Sequence, residues 1–205
     1  TTLIHQLSGA LKSDSGTVHF AGEDITGLKM AARVKKGLAR SFQITSILDG
    51  FTVLENAATA VQARSGSSFR FFRPASAETA LNDEAMAALA RVGLAQSAHR
   101  RAGDLSHGEK RQLEIALALA TDARLLLLDE PLAGTGHEEG AVLIELMRQL
   151  KATHTLVLIE HDMDAVFALA DTVSALVYGR LIASGRPEAV RADPEVRAAY
   201  LGEEG

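Results

Sequence analysis

Two carboxylates stand side by side at Asp129 and Glu130, directly after the four leucines Leu125 to Leu128 and directly before Pro131. Paired acids at such a place can divide two tasks, one ligating a divalent cation and the other accepting a proton from an attacking water. Isolated, an Asp-Glu pair equally fits a helix N-cap or surface acids at a strand end. The leucines narrow the reading. Four in a row suit a strand covered on both faces, and charges at its tip are costly unless a cation or another group compensates them. Adjacent residues on a strand point to opposite sides. Asp129 is therefore expected to hold Mg2+, through a water, while Glu130 faces the attacking water as general base.

Three further positions belong to the same chemistry. Ser106-His107-Gly108-Glu109 reads first as a capping box, serine capping a helix and glutamate reaching back. Gly108 adds something the box does not need, because glycine weakens a helix and admits close backbone approach. A glycine-bearing helix N-terminus with free amides binds anions, on the chain's own nucleotide or on a partner's. His161 follows a second apolar run, Thr155 to Ile159, which places it at the same sheet edge as Glu130. There it suits a hydrogen bond to a phosphate or to the water, although a lone histidine also fits a structural role. Gln43, after Arg40-Ser41-Phe42, is uninformative alone and in this company suits a magnesium ligand.

The elements that must position these residues follow from periodicity. Thr1 to Leu7 is helical in pattern, Gly16 to Phe20 alternates like a strand, and Ala21-Gly22-Glu23-Asp24 supplies a turn. A short helix through Ala31 to Lys36 should stop at Gly37, and Ala39 to Gln43 suits a short strand. Residues 44–104 read as a mostly helical insertion, with helices over Val53 to Arg64 and Asp83 to Val92. The stretch between them, with Phe69, Phe71 and Phe72, suits either the insertion's core or a docking surface. Helices from Ser106 to about Ala120 and through Leu143, Leu146 and Leu150 flank the Leu125 strand. Thr155 to Ile159 reads as a second buried strand, and Thr172 to Val177 with Leu181 to Ala183 as a hairpin turning at Tyr178-Gly179-Arg180. Pro194 to Leu201 suits a short closing helix. Strands alternating with helices predict an α/β fold on a mostly parallel sheet.

The chain has 205 residues, 47% of them hydrophobic and 23% charged, which suits one folded domain with a smaller lobe. It contains no cysteine, so thiolate chemistry and disulfide frameworks are excluded. Its apolar runs fall short of the roughly 20 residues that cross a bilayer. The net charge of −5 argues against a general nucleic-acid binder. Residues 1–111 hold 14 Lys and Arg against 10 Asp and Glu, a balance of +4, and the remaining 7 against 16 give −9. That asymmetry fits mixed solvated surface, or a basic half near phosphates or a membrane surface.

The ordered set Gln43, Leu105-Ser106-His107-Gly108-Glu109, Leu128-Asp129-Glu130-Pro131 and His161 resembles the Q-loop, signature, Walker B and switch histidine of the ATP-binding-cassette ATPases. The resemblance runs along essentially the whole chain. It implies a RecA-like P-loop core over residues 1–43 and 105–205, with an antiparallel β edge and a helical subdomain over 44–104. It also implies ATP and Mg2+ as ligands, and a head-to-tail dimer, homo- or heteromeric. Each ATP in that dimer lies between one subunit's Walker motifs and the other's signature. Thr1-Thr2-Leu3 resembles the segment just after the lysine of the phosphate loop, making Thr1 the magnesium-binding hydroxyl and Thr2 a nucleotide contact. The lysine, the loop's glycines and the aromatic that stacks on adenine are not in this sequence. The resemblance therefore implies a piece of a longer chain that binds ATP poorly by itself.

Two departures stand out. His107 and Glu109 replace the commoner Gly and Gln of the signature. Ala133-Gly134-Thr135-Gly136 stands where many members have Ser-Ala-Leu-Asp, so crosstalk through that aspartate is not expected. Gly37 to Gln43, Thr52 to Asn56, Leu132-Ala133-Gly134 and Pro194 to Gly202 resemble the ATPase subunits of branched-chain or hydrophobic amino-acid importers. Urea-importer and lipopolysaccharide-exporter ATPases share much of this pattern. The resemblance implies permease partners, no nucleic acid, and a cytoplasmic, peripheral place on the inner face of the cell membrane. Non-transport members fit less well: repair ATPases need a long coiled-coil insertion, and translation-type members normally carry two cassettes.

Overall fold

The computed structural model describes residues 1–40, 47–65 and 79–201, with the backbone alone for Ser65 and Leu201. Gln43 and the three phenylalanines at 69, 71 and 72 lie outside the described residues. In chain order the elements are α1 Thr2–Ser8, β1 His19–Phe20, β2 Glu23–Asp24, α2 Met30–Lys35, β3 Leu38–Arg40, α3 Val53–Ser65, α4 Thr79–Arg91 and α5 His107–Ala120. Next come β4 Leu125–Asp129, α6 His137–Leu150, β5 Thr155–Ile159, α7 Met163–Leu169, β6 Val173–Val177, β7 Arg180–Gly185, α8 Pro187–Ala192 and α9 Pro194–Val196. Backbone contacts gather the chain into two units, Thr1–Ile159 and Glu160–Gly205.

In the first unit, β4 is the middle strand of a parallel sheet ordered β3-β4-β5. Leu126, Leu127 and Leu128 are wholly buried, as a strand covered on both faces requires. Leu127 packs with Ile4, Ile25 and Leu38 on one face, and alternation turns Leu126 and Leu128 to the other. β5 departs from the expectation of a second buried strand: all its residues but the exposed Thr155 are half-buried. It pairs in register with β4 on one side, Leu125 opposite Thr155 through Asp129 opposite Ile159. Among the described residues it lies at the edge of the sheet, and edge position explains the exposure.

α1 is fastened by a buried arginine. Arg33 on α2 donates from Nη1 to the carbonyls of Gln6 (2.9 Å) and Leu7 (2.7 Å), in the last turn of α1. Its Nε donates to Leu28 O at 3.0 Å and its Nη2 to Thr26 O at 3.0 Å. Four carbonyls thus receive one planar donor fork, satisfying acceptors that helix termini leave open. Gly9 closes α1 at φ +79, where a Cβ would meet Arg33 Nε at 2.9 Å.

The first helix of the insertion, α3, begins on a side-chain cap. Thr52 Oγ1 accepts from Glu55 N (3.1 Å) while Glu55 Oε2 accepts from Thr52 N (2.7 Å), a reciprocal pair at the start of α3. Buried Asn56 then ties the preceding loop to the helix, accepting from Leu48 N (2.8 Å) and donating to Leu48 O (3.1 Å). Those contacts give the Thr52–Asn56 stretch a structural role. α3 and α4 pack on each other and on α5, which also touches β3 and α6.

The second unit has its own small core of Ala175, Val190 and Val196, with Val173, Ile182 and Ala183 against it. β6 and β7 form the antiparallel hairpin, turning through Tyr178 (φ 49) and Gly179 (φ 78). Two consecutive positive φ values match the right-handed twist of the strands. Pro187 opens α8 and Pro194 opens α9, where Asp193 Oδ1 accepts from Glu195 N and Val196 N. The closing helix is shorter than its sequence suggests, because residues 197–201 continue as a wider π turn.

Glu114 on α5 is buried, with Oε1 lacking a hydrogen-bond partner and Oε2 accepting from Arg111 at 2.9 Å. Burial pushes its carboxyl above the ordinary range, with Arg111 opposing the shift. The folded protein therefore holds this proton more tightly than the unfolded chain. The group's contribution is favourable below the ordinary carboxylate pKa and is lost as pH rises through the raised value. Glu114→Gln should raise the thermal midpoint at neutral pH, with the gain shrinking as pH falls towards about 4. Thermal scans across that range read the difference, and a lower midpoint at neutral pH would show that the Arg111 pair outweighs burial.

Candidate functional site

The tip of β4 gathers the candidate site in the first unit. Asp129 is the last strand residue, and its side chain has no solvent exposure. Arg40, at the end of the described part of β3, places Nη2 3.3 Å from Asp129 Oδ2. The other carboxylate oxygen, Oδ1, is buried without a hydrogen-bond partner, and the backbone nitrogen of Thr1 lies 3.9 Å from it. The N-terminal end of α1 is thus aimed at the buried carboxylate, where its peptide dipoles favour negative charge. Thr1 caps α1 without a side-chain hydrogen bond to the helix, and Thr2 is the first helical residue; both side chains are exposed.

Glu130 sits otherwise than strand alternation predicts. The strand ends at Asp129, and Glu130 takes φ +49, in the left-handed region that non-glycine residues seldom occupy. The backbone at Glu130 is therefore set by that kink and not by the pleat of β4. Two hydrogen bonds hold the kink, Glu130 N to Ile159 O at 2.8 Å and Ala133 N to Glu130 O at 3.1 Å. Backbone held in a sparsely populated region at the edge of a sheet is characteristic of functional sites. Pro131 through Gly136 then turn towards α6, with Gly134 at φ +76.

The capping box at α5 is present as the spacing predicts. Ser106 Oγ accepts from Glu109 N at 3.2 Å, and Glu109 Oε2 accepts from Ser106 N at 2.9 Å. Burial pushes the Glu109 carboxyl up, but the Ser106 N–H and the Arg100 guanidinium, 2.7 Å away, bring it below the ordinary value. His107 is exposed in the first turn. Gly108 is buried, and its N–H donates to Glu139 Oε2 at 3.1 Å. The glycine therefore serves close approach, as expected, and the group that approaches is a side chain from α6.

His161 belongs to the second unit, two residues beyond the end of β5, with an exposed side chain. Its N–H donates to Glu160 Oε2 at 3.2 Å, and its Nδ1 lies 3.9 Å from the same oxygen. The Glu160 side chain is itself buried. Sequence reasoning missed two residues here, Arg40 and Glu139. Arg40 is the one charged residue of a strand otherwise made of Leu and Ala, which is a signal. Glu139 carries none, because it is one of two adjacent glutamates opening a helix, the usual place for an acid.

Removing the partner of a buried charge is expensive. Arg40→Met should cost about 3–5 kcal/mol of unfolding free energy, measured by urea denaturation. A loss under about 1 kcal/mol would mean that Asp129 is compensated mainly from α1.

The family model described as ABC transporter matches residues 1–133, and the model described as branched-chain amino acid ATP-binding cassette transporter matches residues 180–205. The high-affinity branched-chain amino acid transport ATP-binding protein LivG of Escherichia coli strain K12 is 35% identical over 210 residues, covering 99% of this chain and 82% of the relative. The corresponding BraF protein of Pseudomonas aeruginosa is 36% identical at the same coverage. A crystal structure of a nucleotide-free ATP-binding cassette from an ABC transporter superposes with a TM-score of 0.84 at 31% identity, covering 98% of this chain and 83% of that one.

Proposed function

The chain belongs to the ABC transporter ATP-binding family, and from that premise we propose that it drives import of branched-chain amino acids by hydrolysing ATP between two cassettes. The observation that carries this reading is Asp129 at the sheet edge, fully buried, with one oxygen left without a hydrogen bond at the start of α1. A buried carboxylate oxygen of that kind fits a hard cation. Asp129, the Thr1 hydroxyl and Gln43 are the residues that hold Mg2+. When bound, Mg2+ neutralises charge on the phosphate oxygens of ATP. Thr2 contacts the same phosphates.

Glu130 acts as general base, on a backbone kink directly after the strand that carries Asp129. His161 holds the terminal phosphate or the water by a hydrogen bond. Ser106, His107, Gly108 and Glu109 address the nucleotide bound to the other copy, using the first turn of α5 as an anion site. Residues 44–104 form the helical lobe that meets the permease, and 1–43 with 105–205 form the ATPase core. The resemblance of several stretches to LivG-type subunits supports the solute class, as does the match of residues 180–205. Among the described residues no helix is long and apolar enough to cross a membrane, which suits a subunit held peripherally at the inner face of the membrane by integral permeases.

Glu130→Gln should lower ATP turnover about 100-fold or more while leaving ATP affinity within about twofold, because only the proton acceptor is lost. Turnover of the intact protein by phosphate release, beside equilibrium binding of ATP, separates the two effects. Turnover near the parent's would remove Glu130 from the mechanism. Ser106→Arg should abolish ATP-driven dimerisation, read by light scattering, while the protein stays folded with its unfolding free energy lowered only by the loss of one helix cap, about 0.5–2 kcal/mol. Uptake of labelled leucine into membrane vesicles carrying the assembled transporter tests the solute class.

A further inference from the structure

The first turn of α5, which the proposed function assigns to a partner's phosphate, already holds a carboxylate. Glu139, in the first turn of α6, accepts the Gly108 N–H at 3.1 Å. The nearby Ser106 hydroxyl, with the N–H groups of Gly108 and Gly136, holds that carboxyl below the ordinary carboxylate range. The fit is close: a Cβ at Gly108 would come within 2.7 Å of both Glu139 Cβ and Cδ. Gly108 thus clears space for a side chain of the same molecule.

Two carboxylates meet at this terminus, and they are held differently. Glu109 is fastened by Arg100 and by Ser106 N, on the near side of the capping box. Glu139 is held by the Gly108 amide beside the Ser106 hydroxyl, groups that a phosphate at the same terminus would use. A carboxylate and a phosphate oxygen ask the same of such donors, and one amide hydrogen cannot serve both well.

We propose that Glu139 is a built-in competitor for the signature, occupying its anion seat until the partner's nucleotide displaces it. The inference rests on the reading of residues 106–109 as the site that grips the other copy's nucleotide. In the separate subunit the carboxylate satisfies the Gly108 amide and keeps the turn in shape. Closure then exchanges carboxylate for phosphate, and the affinity of closure is reduced by the fraction of molecules in which the seat is taken. Glu139 is a positioning residue on this account, since it acts through Ser106 and Gly108.

The test is ATP-driven dimerisation of the intact protein by light scattering, comparing the parent with Glu139→Gln, Glu139→Ala and Ser106→Arg. Glu139→Gln keeps the volume and removes the charge, and Glu139→Ala empties the seat. Both should lower the ATP concentration for half-maximal dimer by about tenfold. ATP affinity of the separate subunit at low protein concentration should not move. An unchanged or raised half-maximal concentration in both variants would overturn the competitor role. If Ser106→Arg blocks dimerisation while the Glu139 variants behave as the parent, the competitor role alone is wrong. If Ser106→Arg dimerises normally, the reading of the signature itself fails.

Discussion

Asp129 carries its carboxylate into a place with no solvent exposure, at the end of three wholly buried leucines, and the surrounding elements are arranged around that charge. A charge so placed is tolerated only with compensation on every side that water has left. Arg40 provides part of it from the neighbouring strand, and the start of α1 provides more through its peptide dipoles. One oxygen remains without a hydrogen bond. The parallel sheet makes the arrangement possible, because β3 and β4 run together and deliver Arg40 and Asp129 to the same edge.

The aim of α1 depends on residues far from the acid. Arg33 gathers four carbonyls from α1 and the loop before α2, and so sets where the helix ends; its length then sets where it begins. The same packing places Ile4 against Leu127 and Leu38. Core packing and site geometry are therefore one construction. A change at Arg33 would be felt at Asp129 without touching it.

Around Ser106 the compensation runs the other way. A helix start offers donors, and in the separate chain those donors take the carboxylates of Glu109 and Glu139. The capping box is a local device, complete within four residues. Glu139 reaches the same place from another helix, and it links the signature to the segment that comes after Asp129 and Glu130 in the chain. The structural cap and the proposed anion seat would thus share one set of amides, which is why spacing alone cannot separate the two roles of Ser106 and Gly108.

Much of this was legible from residue order. The leucine run announced a central strand, Ser106 and Glu109 a capped helix, and Tyr178-Gly179 a hairpin turn, because each depends on neighbours within a few residues. The ordered motifs pointed to the ATP-binding-cassette family before any fold was in view. The apolar run of β5 suggests more burial than the strand has, since composition does not say that among the described residues it lies at the sheet's edge. Glu130 departs from the strand geometry that residue order suggests, because the strand ends at Asp129. A left-handed φ at Glu130 is set by its hydrogen bond to Ile159, not by the pleat. Arg40 bonds Asp129 across 89 residues and Glu139 bonds Gly108 across 31. Local periodicity carries no record of such pairs, so the acids and their place at a strand tip were written in the chain, while the groups that hold them in place were decided by the packing.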